Sequence, residues 1–317
     1  MIPGVNAGFT VARTRVSAWK WTRWRRLLAG LLCVGAAFAA APPPAPFGPA
    51  VLRERFAELQ AQPGPSPFGP LLQLQYRETN DRLKGEVYAS VEHPFPVVQQ
   101  ALVSAEHWCQ ILILHLNVKY SRATQDSPPM LDVGLGRKFD QPLKDVHWLR
   151  FAYRPAQVDD DYLRVVLSAP TGPMGTRNYL IAVEAASLDA THSIVHLTYS
   201  YTYDTAARLA MKTYLATLGR SKVGFSVVGR DSSGQPKYAE GVRGAVERNI
   251  MRYYLAIEAF LGAEKLPEPQ RQRRRLEDWF DATEHYARQL HEVDRAVYLK
   301  MKEQEIRRQE TQPPPGR

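Results

Sequence analysis

Apolar and polar residues alternate along the middle of the chain. In the first such run, Leu83 and Val87 share one side, and Lys84 and Glu86 share the other. Because successive side chains of a strand point to opposite faces, this pattern predicts a half-buried strand over residues 83–92. Short connections rich in proline, serine and aspartate join several later runs, which favours an antiparallel sheet. The further predicted strands are 117–122, 131–139, 146–154, 162–169, 177–186, 193–203 and 222–229.

Helical spacing of apolar residues occurs between these strands and after them. The longest helical pattern steps by three and four residues through Val242, Val246, Ile250 and Ile257. Such a continuous face needs a large apolar surface to lie on, so we expect this helix to pack on the sheet. The predicted helices are 94–105, 108–116, 205–219 and 238–261.

The C-terminal region is mostly charged, with one narrow apolar stripe. This stripe can dock on the core, pair two protomers or lie on a membrane surface. Because acidic and basic residues nearly balance over 271–309, we expect a solvated helix with one docked edge, and at most a peripheral membrane contact. Residues 311–317 are polar and proline-rich, so we expect a disordered tail. The stripe consists of Trp279, Tyr286, Leu290, Val293 and Val297.

The N-terminus has the features of an export signal. Residues 1–39 hold six basic residues and no acidic one, and an uncharged run over 27–41 ends in small residues. This order is typical of a secretory signal peptide, with cleavage after Ala39. The run is shorter than the roughly 20 residues of a membrane-spanning helix. We therefore expect a periplasmic or secreted protein, with an uncleaved N-terminal anchor as the alternative.

Residues 40–78 are interpreted as a linker, because nine prolines occur from position 42 to position 70. Such a stretch is typical of a stiff, extended spacer, interrupted here by a short helix over 51–60. Once the signal peptide is removed, Cys109 has no cysteine to pair with, so we expect packing alone to stabilise the fold. We interpret Cys109 as a small buried residue and not as a nucleophile beside His107.

Charge and motifs argue against several functional classes. Of the formal charge of +9, six units belong to residues 1–39, so that only +3 remains and no nucleic-acid-binding face is indicated. Neither His107 with His115 nor His192 with His196 has a spacing that brings both side chains to one ion. Paired cysteines, phosphate-binding glycine loops and nucleophile motifs are missing from the sequence. We expect no metal and no cofactor.

The order of the elements resembles a known fold. The strand Gly85-Glu86-Val87-Tyr88-Ala89-Ser90-Val91, two short helices, a run of antiparallel strands and a long closing helix are similar to START-like helix-grip proteins. These form the SRPBCC superfamily of lipid-transfer and polyketide cyclase-like proteins. The resemblance covers about residues 83–261 and rests on order and pattern, without a diagnostic motif. The helix at 205–219 and the C-terminal extension depart from the simplest version of the fold.

The resemblance implies an α+β helix-grip domain over residues 79–263. In such a domain a curved antiparallel sheet of seven to eight strands wraps around the long helix and leaves an apolar cavity. A charged helical extension would follow at 264–310. The implied ligand is a hydrophobic molecule such as a lipid, sterol or hopanoid.

Three functions follow from this interpretation. We expect a protein of the cell envelope that binds a hydrophobic ligand, for transfer or sensing. One alternative is a cyclase- or hydrolase-like enzyme that acts on a lipidic or polycyclic substrate in the same cavity. A second alternative is an interaction module that assembles through the C-terminal helix. The oligomeric state stays open.

Candidate cavity residues come from the aromatic strand, the loop before it and the long helix. Alternate tyrosines within 193–203 provide apolar area with hydroxyls that can orient a polar group. Arg177 suits an anionic group, because its planar guanidinium matches a carboxylate or phosphate. For a cyclase-type enzyme the resemblance implies a pocket with a few polar residues, although the sequence leaves open which strand face is concave. The residues that can supply them are His147, Arg150, Tyr153 and His196. The full set is Arg150, Tyr153, Arg177, Tyr179, His196, Tyr199, Tyr201, Tyr253 and Ile257.

Overall fold

The structure is a computed structural model that describes residues 47–61, 68, 71–205, 208–209, 222–268 and 270–314. The predicted signal peptide and nearly all of the predicted helix at 205–219 lie outside the described residues. The strands are β1 (Leu72–Glu78), β2 (Arg82–Val91), β3 (Val118–Ala123), β4 (Met130–Leu135), β5 (His147–Val158), β6 (Tyr162–Thr171), β7 (Arg177–Ser187), β8 (Ser193–Thr202), β9 (Val227–Arg230) and β10 (Pro236–Tyr238). The α-helices are α1 (Pro49–Ala61), α2 (Phe95–Leu102), α3 (Ala105–Leu112), α4 (Gly241–Gly262), α5 (Gln270–His285), α6 (Ala287–Leu290) and α7 (Arg295–Thr311).

Eight strands form one antiparallel sheet in the order β1-β2-β8-β7-β6-β5-β4-β3. Strands that follow one another in sequence pair with each other, except that β2 pairs with β8 instead of β3. The pairing of β2 with β8 places the last strand of the sheet in sequence beside one of the first two. Helix α4 follows these strands in the chain. The antiparallel α+β helix-grip class predicted from the sequence is therefore confirmed.

Two strand assignments differ from the sequence analysis. Leu72–Glu78, expected in the linker, is β1 and pairs with β2 along its whole length. Leu72, Leu74 and Tyr76 alternate with polar residues, as is typical of a strand, but they directly follow the proline-rich stretch that indicated a linker. The predicted strand at 222–229 does not join the main sheet, and its last residues form the separate β9–β10 hairpin instead.

The helix boundaries depend on local capping. The Ser104 hydroxyl accepts a hydrogen bond from the His107 N–H at 3.3 Å and so begins α3. For this reason α2 ends at Leu102, before the predicted boundary. The long helix α4 begins at Gly241, whose φ of +60° favours glycine. The predicted start at Tyr238 belongs to β10 instead.

The face of the sheet that packs on α4 is the inner face, and the opposite one is the outer face. On the inner face α4 packs against β1, β2 and β8. At the closest approach, a Cβ on Gly85 would lie 2.8 Å from Cγ1 of Val246 and 3.4 Å from Cγ2 of Ile250. Glycine at this position therefore lets α4 approach β2 closely. Strands β4, β5 and β7, on the other half of the sheet, face an open space beside α4.

Helix α1 packs on the outer face over β7 and β8. Its Leu52 and Phe56 bury themselves against an outer-face cluster that includes Tyr88 and Tyr162. The Arg53 guanidinium adds a hydrogen bond from Nε to the Ser187 carbonyl at 2.8 Å. The short helix predicted within the linker is thus docked on the folded domain.

The C-terminal helices pack on the domain and on each other. The single helix predicted over 271–309 is broken, because α7 folds back on α5 and the rings of Trp279 and Tyr298 stack with centroids 5.0 Å apart. Within the predicted apolar stripe, Trp279 and Leu290 are buried and Val297 is exposed. Most of the stripe is therefore used inside the chain. In the part of the chain that the structure describes, no helix has the length and apolarity to cross a membrane.

A buried charge network ties α7 to the edge strand β3. Lys119, Lys302 and Glu305 have side chains with no solvent exposure. The two carboxylate oxygens of Glu305 lie 2.9 Å from the Lys119 Nζ and 2.6 Å from the Lys302 Nζ. Burial lowers the pKa of Lys302 to about 8. Because removing one member would leave a buried charge uncompensated, this network makes α7 an integral part of the fold.

Candidate functional site

A cavity of about 420 Å³ lies between the inner face of the sheet and α4. Ligand-binding cavities commonly have volumes of roughly 300–1,000 Å³, so this space fits a small organic molecule. Its apolar wall consists of Leu112, Val133, Leu135, Phe151, Pro173 and Ile181. Its polar lining consists of His115, Asn117, Arg137, Gln141, Asp145, His147, Tyr179, Tyr199, Asn249 and Tyr253.

The polar lining has a buried part and an exposed part. His115, Tyr199 and Tyr253 are buried, and they form the inner end of the cavity. Arg137 and His147 are exposed and mark its opening. A molecule in this cavity would therefore contact apolar side chains along its length and polar groups at both ends.

Three side chains at the inner end form one hydrogen-bonded chain. The Nδ1 atom of His115 accepts a hydrogen bond from the Asn117 N–H at 3.1 Å, which leaves the proton on Nε2. Nε2 then donates to Oδ1 of Asn249 at 3.2 Å. Nδ2 of Asn249 donates to the Tyr199 hydroxyl at 3.3 Å. The backbone at Asn117 thus fixes the tautomer of His115 and the orientation of the Asn249 amide.

His115 is held neutral. Burial is the largest cause of a pKa well below the usual value for histidine. The positive charges of Arg252, Lys302 and Lys138 lower the pKa of His115 further. The hydrogen bond to Asn249 opposes this shift only in part. His115 therefore presents an uncharged ring to the cavity, with its centroid 4.9 Å from that of Tyr253.

Four tyrosines surround the inner end of the cavity. The Tyr199 ring lies 5.8 Å from that of Tyr253 and 6.1 Å from that of Tyr179, between centroids. Tyr201 stacks on Tyr179 with centroids 5.2 Å apart. Burial raises the pKa of each of these hydroxyls, which keeps them protonated and able to donate hydrogen bonds. A Cβ on Gly172 would overlap the Tyr179 ring, so glycine there makes room for it.

Several predicted cavity residues lie on the inner face. Tyr179, Tyr199 and Tyr253 line the cavity. Tyr201 is buried directly behind Tyr179. Tyr153 is also buried on this side, but its hydroxyl donates to the Val103 carbonyl and so holds the end of α2.

The other four predicted residues do not line this cavity. Ile257 is fully buried in the core, one helical turn after the cavity residue Tyr253, and does not line the cavity. Arg150 is on the outer face, where its Nε lies 3.0 Å from Oδ1 of Asp132. Arg177 is exposed at the start of β7 and lies 3.5 Å from Asp204. His196 is also on the outer face, because the alternation that turns Tyr199 inward turns His196 outward.

His196 belongs to a buried cluster under α1. Its Nδ1 lies 2.9 Å from Oε2 of Glu184, and its Nε2 lies 3.0 Å from Oε1 of Glu86. The Tyr88 ring stacks on the imidazole with centroids 3.9 Å apart, and the Tyr162 hydroxyl donates to Glu184. With both ring nitrogens facing carboxylates, the imidazole is doubly protonated. These contacts of His196 stabilise the outer face of the sheet and leave neither nitrogen of its ring free for a ligand.

Sequence reasoning missed His115 and Asn249 as cavity residues. His115 was considered only for its spacing from His107, and a metal needs ligands much closer together. A signal for Asn249 did exist, since it is a polar residue on the same face of α4 as Val246 and Tyr253. Within the described residues, no three side chains of His, Cys, Asp or Glu converge as a metal ion requires.

Comparison with protein families gives no match, and no curated protein matches the chain. Among solved structures, norcoclaurine synthase of Thalictrum flavum is similar over 45% of this chain and 89% of that chain, with 13% identity and a TM-score of 0.32. The Zhui aromatase/cyclase of Streptomyces sp. R1128 is similar over 44% and 86%, with 12% identity and a TM-score of 0.30. An uncharacterised protein of Bacillus thuringiensis is similar over 43% and 93%, with 13% identity and a TM-score of 0.29. Likenesses this distant carry no activity to this chain.

Proposed function

We propose that this protein binds a small amphiphilic molecule in the cavity between the sheet and α4. The observation that carries the proposal is the combination of an apolar wall with a polar inner end in one space of about 420 Å³. Apolar walls supply affinity, and a few fixed polar groups supply orientation. The resemblance to START-like proteins supports the same class of ligand.

The binding energy needs no special chemistry. Each buried methylene contributes roughly 0.8 kcal/mol, so a chain of about ten carbons gains about 8 kcal/mol before the cost of association. Association costs at least about 4 kcal/mol, and hydrogen bonds to the tyrosine hydroxyls offset part of it. We therefore expect an affinity between about millimolar and about micromolar for a simple amphiphile of this length.

The first experiment is native mass spectrometry of the protein purified from its own cells, followed by organic extraction. We expect one class of amphiphile bound in a ratio of one per chain. A protein that carries no such molecule, and that takes up none from a lipid extract, would contradict the proposal.

A second experiment places the ligand in the cavity. Ile181 lines the cavity, and its neighbour Leu180 points to the outer face. Ile181→Trp should fill the space and weaken ligand binding by more than about tenfold, whereas Leu180→Trp should keep it. Equal affinities of the two variants would place the ligand elsewhere. Circular dichroism checks that both variants are folded.

The chain of hydrogen bonds from His115 through Asn249 to Tyr199 favours enzyme activity as a second candidate. Both ring nitrogens of His115 are already hydrogen-bonded, so His115 positions the Tyr199 hydroxyl through Asn249, and this protonated hydroxyl can act on a bound substrate as a general acid. Once the ligand is identified, nuclear magnetic resonance in deuterated water tests this function, because exchange at a C–H next to a carbonyl should need the Tyr199 hydroxyl. Tyr199→Phe should then abolish the exchange while the ligand stays bound. Exchange at the wild-type rate would exclude this role.

We also propose that the protein acts in the cell envelope, on the strength of the N-terminal sequence pattern. N-terminal sequencing of the mature protein tests this part. A chain that begins at Ala40 supports export with cleavage. A mature chain that keeps residues 1–39 and stays in the cytoplasm would contradict it.

A further inference from the structure

A cluster of cations surrounds one carboxylate next to the inner end of the cavity. Oε1 of Glu292 lies 2.8 Å from Nη2 of Arg252 and 2.6 Å from Nζ of Lys138. Oε2 of Glu292 lies 3.2 Å from Nζ of Lys222. We name these four residues the Glu292 cluster. Within the described part of the chain, no second carboxylate forms an ion pair with the three cations. Three positive charges and one negative charge leave the cluster with a net charge of +2.

The chain places this cluster beside cavity residues. Arg252 lies between the cavity residues Asn249 and Tyr253 on α4, and Lys138 follows the cavity residue Arg137. Arg252 and Glu292 are buried, with side-chain exposures of 5% and 7%. Charges act over longer distances in a buried environment than in water, so the cluster reaches the cavity without touching its contents.

The charged groups around His115 indicate a positive electrostatic potential at the inner end of the cavity. The charged groups with the strongest effect on its ring are Arg252, Lys302 and Lys138, and all three are cations. Lys302 belongs to the buried network with Lys119 and Glu305, which itself has a net charge of +1. The inner end of the cavity is therefore positive on two sides.

A free hydrogen-bond donor faces this positive region. Tyr253 is only 8% exposed, and it lines the cavity. None of the described residues hydrogen-bonds its hydroxyl. Burial keeps the hydroxyl protonated, so it can donate to a ligand but does not carry charge. At the opening, the Arg137 guanidinium has no carboxylate partner among the residues that the structure describes.

We propose that the polar group of the ligand is an anion, a carboxylate that lies near Tyr253 and His115 with its alkyl part against Phe151 and Ile181. This proposal rests on the proposed function and specifies the ligand class. Hydroxyl donors and a surrounding positive potential favour a single negative charge and disfavour an ammonium group. A carboxylate also suits one or two neutral donors better than a phosphate, which needs more of them.

Three compounds of equal chain length test the charge of the ligand. Dodecanoic acid, dodecanamide and dodecylamine are titrated into the full-length, delipidated protein by calorimetry. We expect the acid to bind roughly tenfold more tightly than the amide, and the amine to bind most weakly. Equal binding of all three, or a preference for the amine, would overturn the anion proposal and leave the proposed function standing. Binding of none would overturn both.

Two variants test the residues. Lys138→Gln removes one unit of charge from a half-exposed side chain, and Tyr253→Phe removes the hydroxyl and keeps the ring. Each should lower the ratio of acid to amide affinity by about threefold to tenfold. Lys237→Gln removes an exposed lysine from β10 and should leave this ratio unchanged. An unchanged ratio in both test variants, or an equal change in Lys237→Gln, would overturn the assignment.

Discussion

Replacement of His196 by glutamine should destabilise the fold and leave ligand binding intact. His196, Glu184 and Glu86 have side chains that are 9%, 11% and 7% exposed, so glutamine would leave two buried carboxylates without the positive charge between them. Removal of one member of a buried ion pair costs about 3–5 kcal/mol. Because Lys84 stays 2.7 Å from Glu86, we expect a loss near the lower limit, about 3 kcal/mol.

The pH dependence of this loss has a defined sign. Burial works to lower the pKa of His196, but hydrogen bonds to Glu184 and Glu86 and their charges outweigh it and raise that pKa. The resulting stabilisation is complete below the unfolded-state value of about 6.5 and is lost as the pH rises through the higher folded-state pKa. The difference in stability between the wild type and His196→Gln should therefore shrink at alkaline pH.

Guanidinium denaturation followed by circular dichroism, at about pH 6 and about pH 9, measures both effects. The double variant Glu184→Gln with His196→Gln serves as a control, and it should recover part of the loss because it removes one unpaired carboxylate. A single variant as stable as the wild type at the lower pH would refute the reasoning. So would a variant of normal stability that no longer binds ligand, since His196 would then act on the cavity.

Three further outcomes follow from the packing. Glu305→Gln should lower the free energy of unfolding by about 3–5 kcal/mol, because Lys119 and Lys302 lose the carboxylate that they share; a urea titration that shows a loss below about 1 kcal/mol would mean that the network is hydrated. Truncation after Leu266 should lower the melting temperature and cause aggregation, and a truncated protein that melts like the full chain in calorimetry would show that α5–α7 are dispensable. Arg150→Ala should leave the ligand affinity unchanged in titration, whereas a loss of affinity would place the site on the outer face.

The alternation of residues was enough to predict seven of the eight strands of the sheet, but it could not identify the inner face. In β8 both faces are buried, because α4 covers one and α1 covers the other. The sequence therefore gives no contrast between Tyr199, which lines the cavity, and His196, which lies under α1. Docking of α1 depends on contacts such as that of Arg53 with Ser187, 134 residues apart. Pattern analysis within a short window does not detect contacts over such a separation.

The candidate site was only partly predictable for a related reason. The tyrosines of β8 could be assigned to one face, since they share one strand and one period. His115 and Asn249 come from segments 134 residues apart and meet only when α4 lies across the sheet. The cations of the Glu292 cluster likewise come from three separate segments of the chain. Their combined charge is a property of the folded protein and is invisible in the overall composition.

The close approach of α4 to β2 at Gly85 affects the size of the cavity, although Gly85 does not line it. A methyl group at this position would push Val246 and Ile250, and with them this part of α4, away from β2. Asn249 and Tyr253 would move with the helix, so the gap between α4 and the strands on the other side would change in height. Two proteins with identical lining residues would then accept molecules of different thickness. Ligand selectivity in this architecture can thus evolve through a residue that no ligand touches.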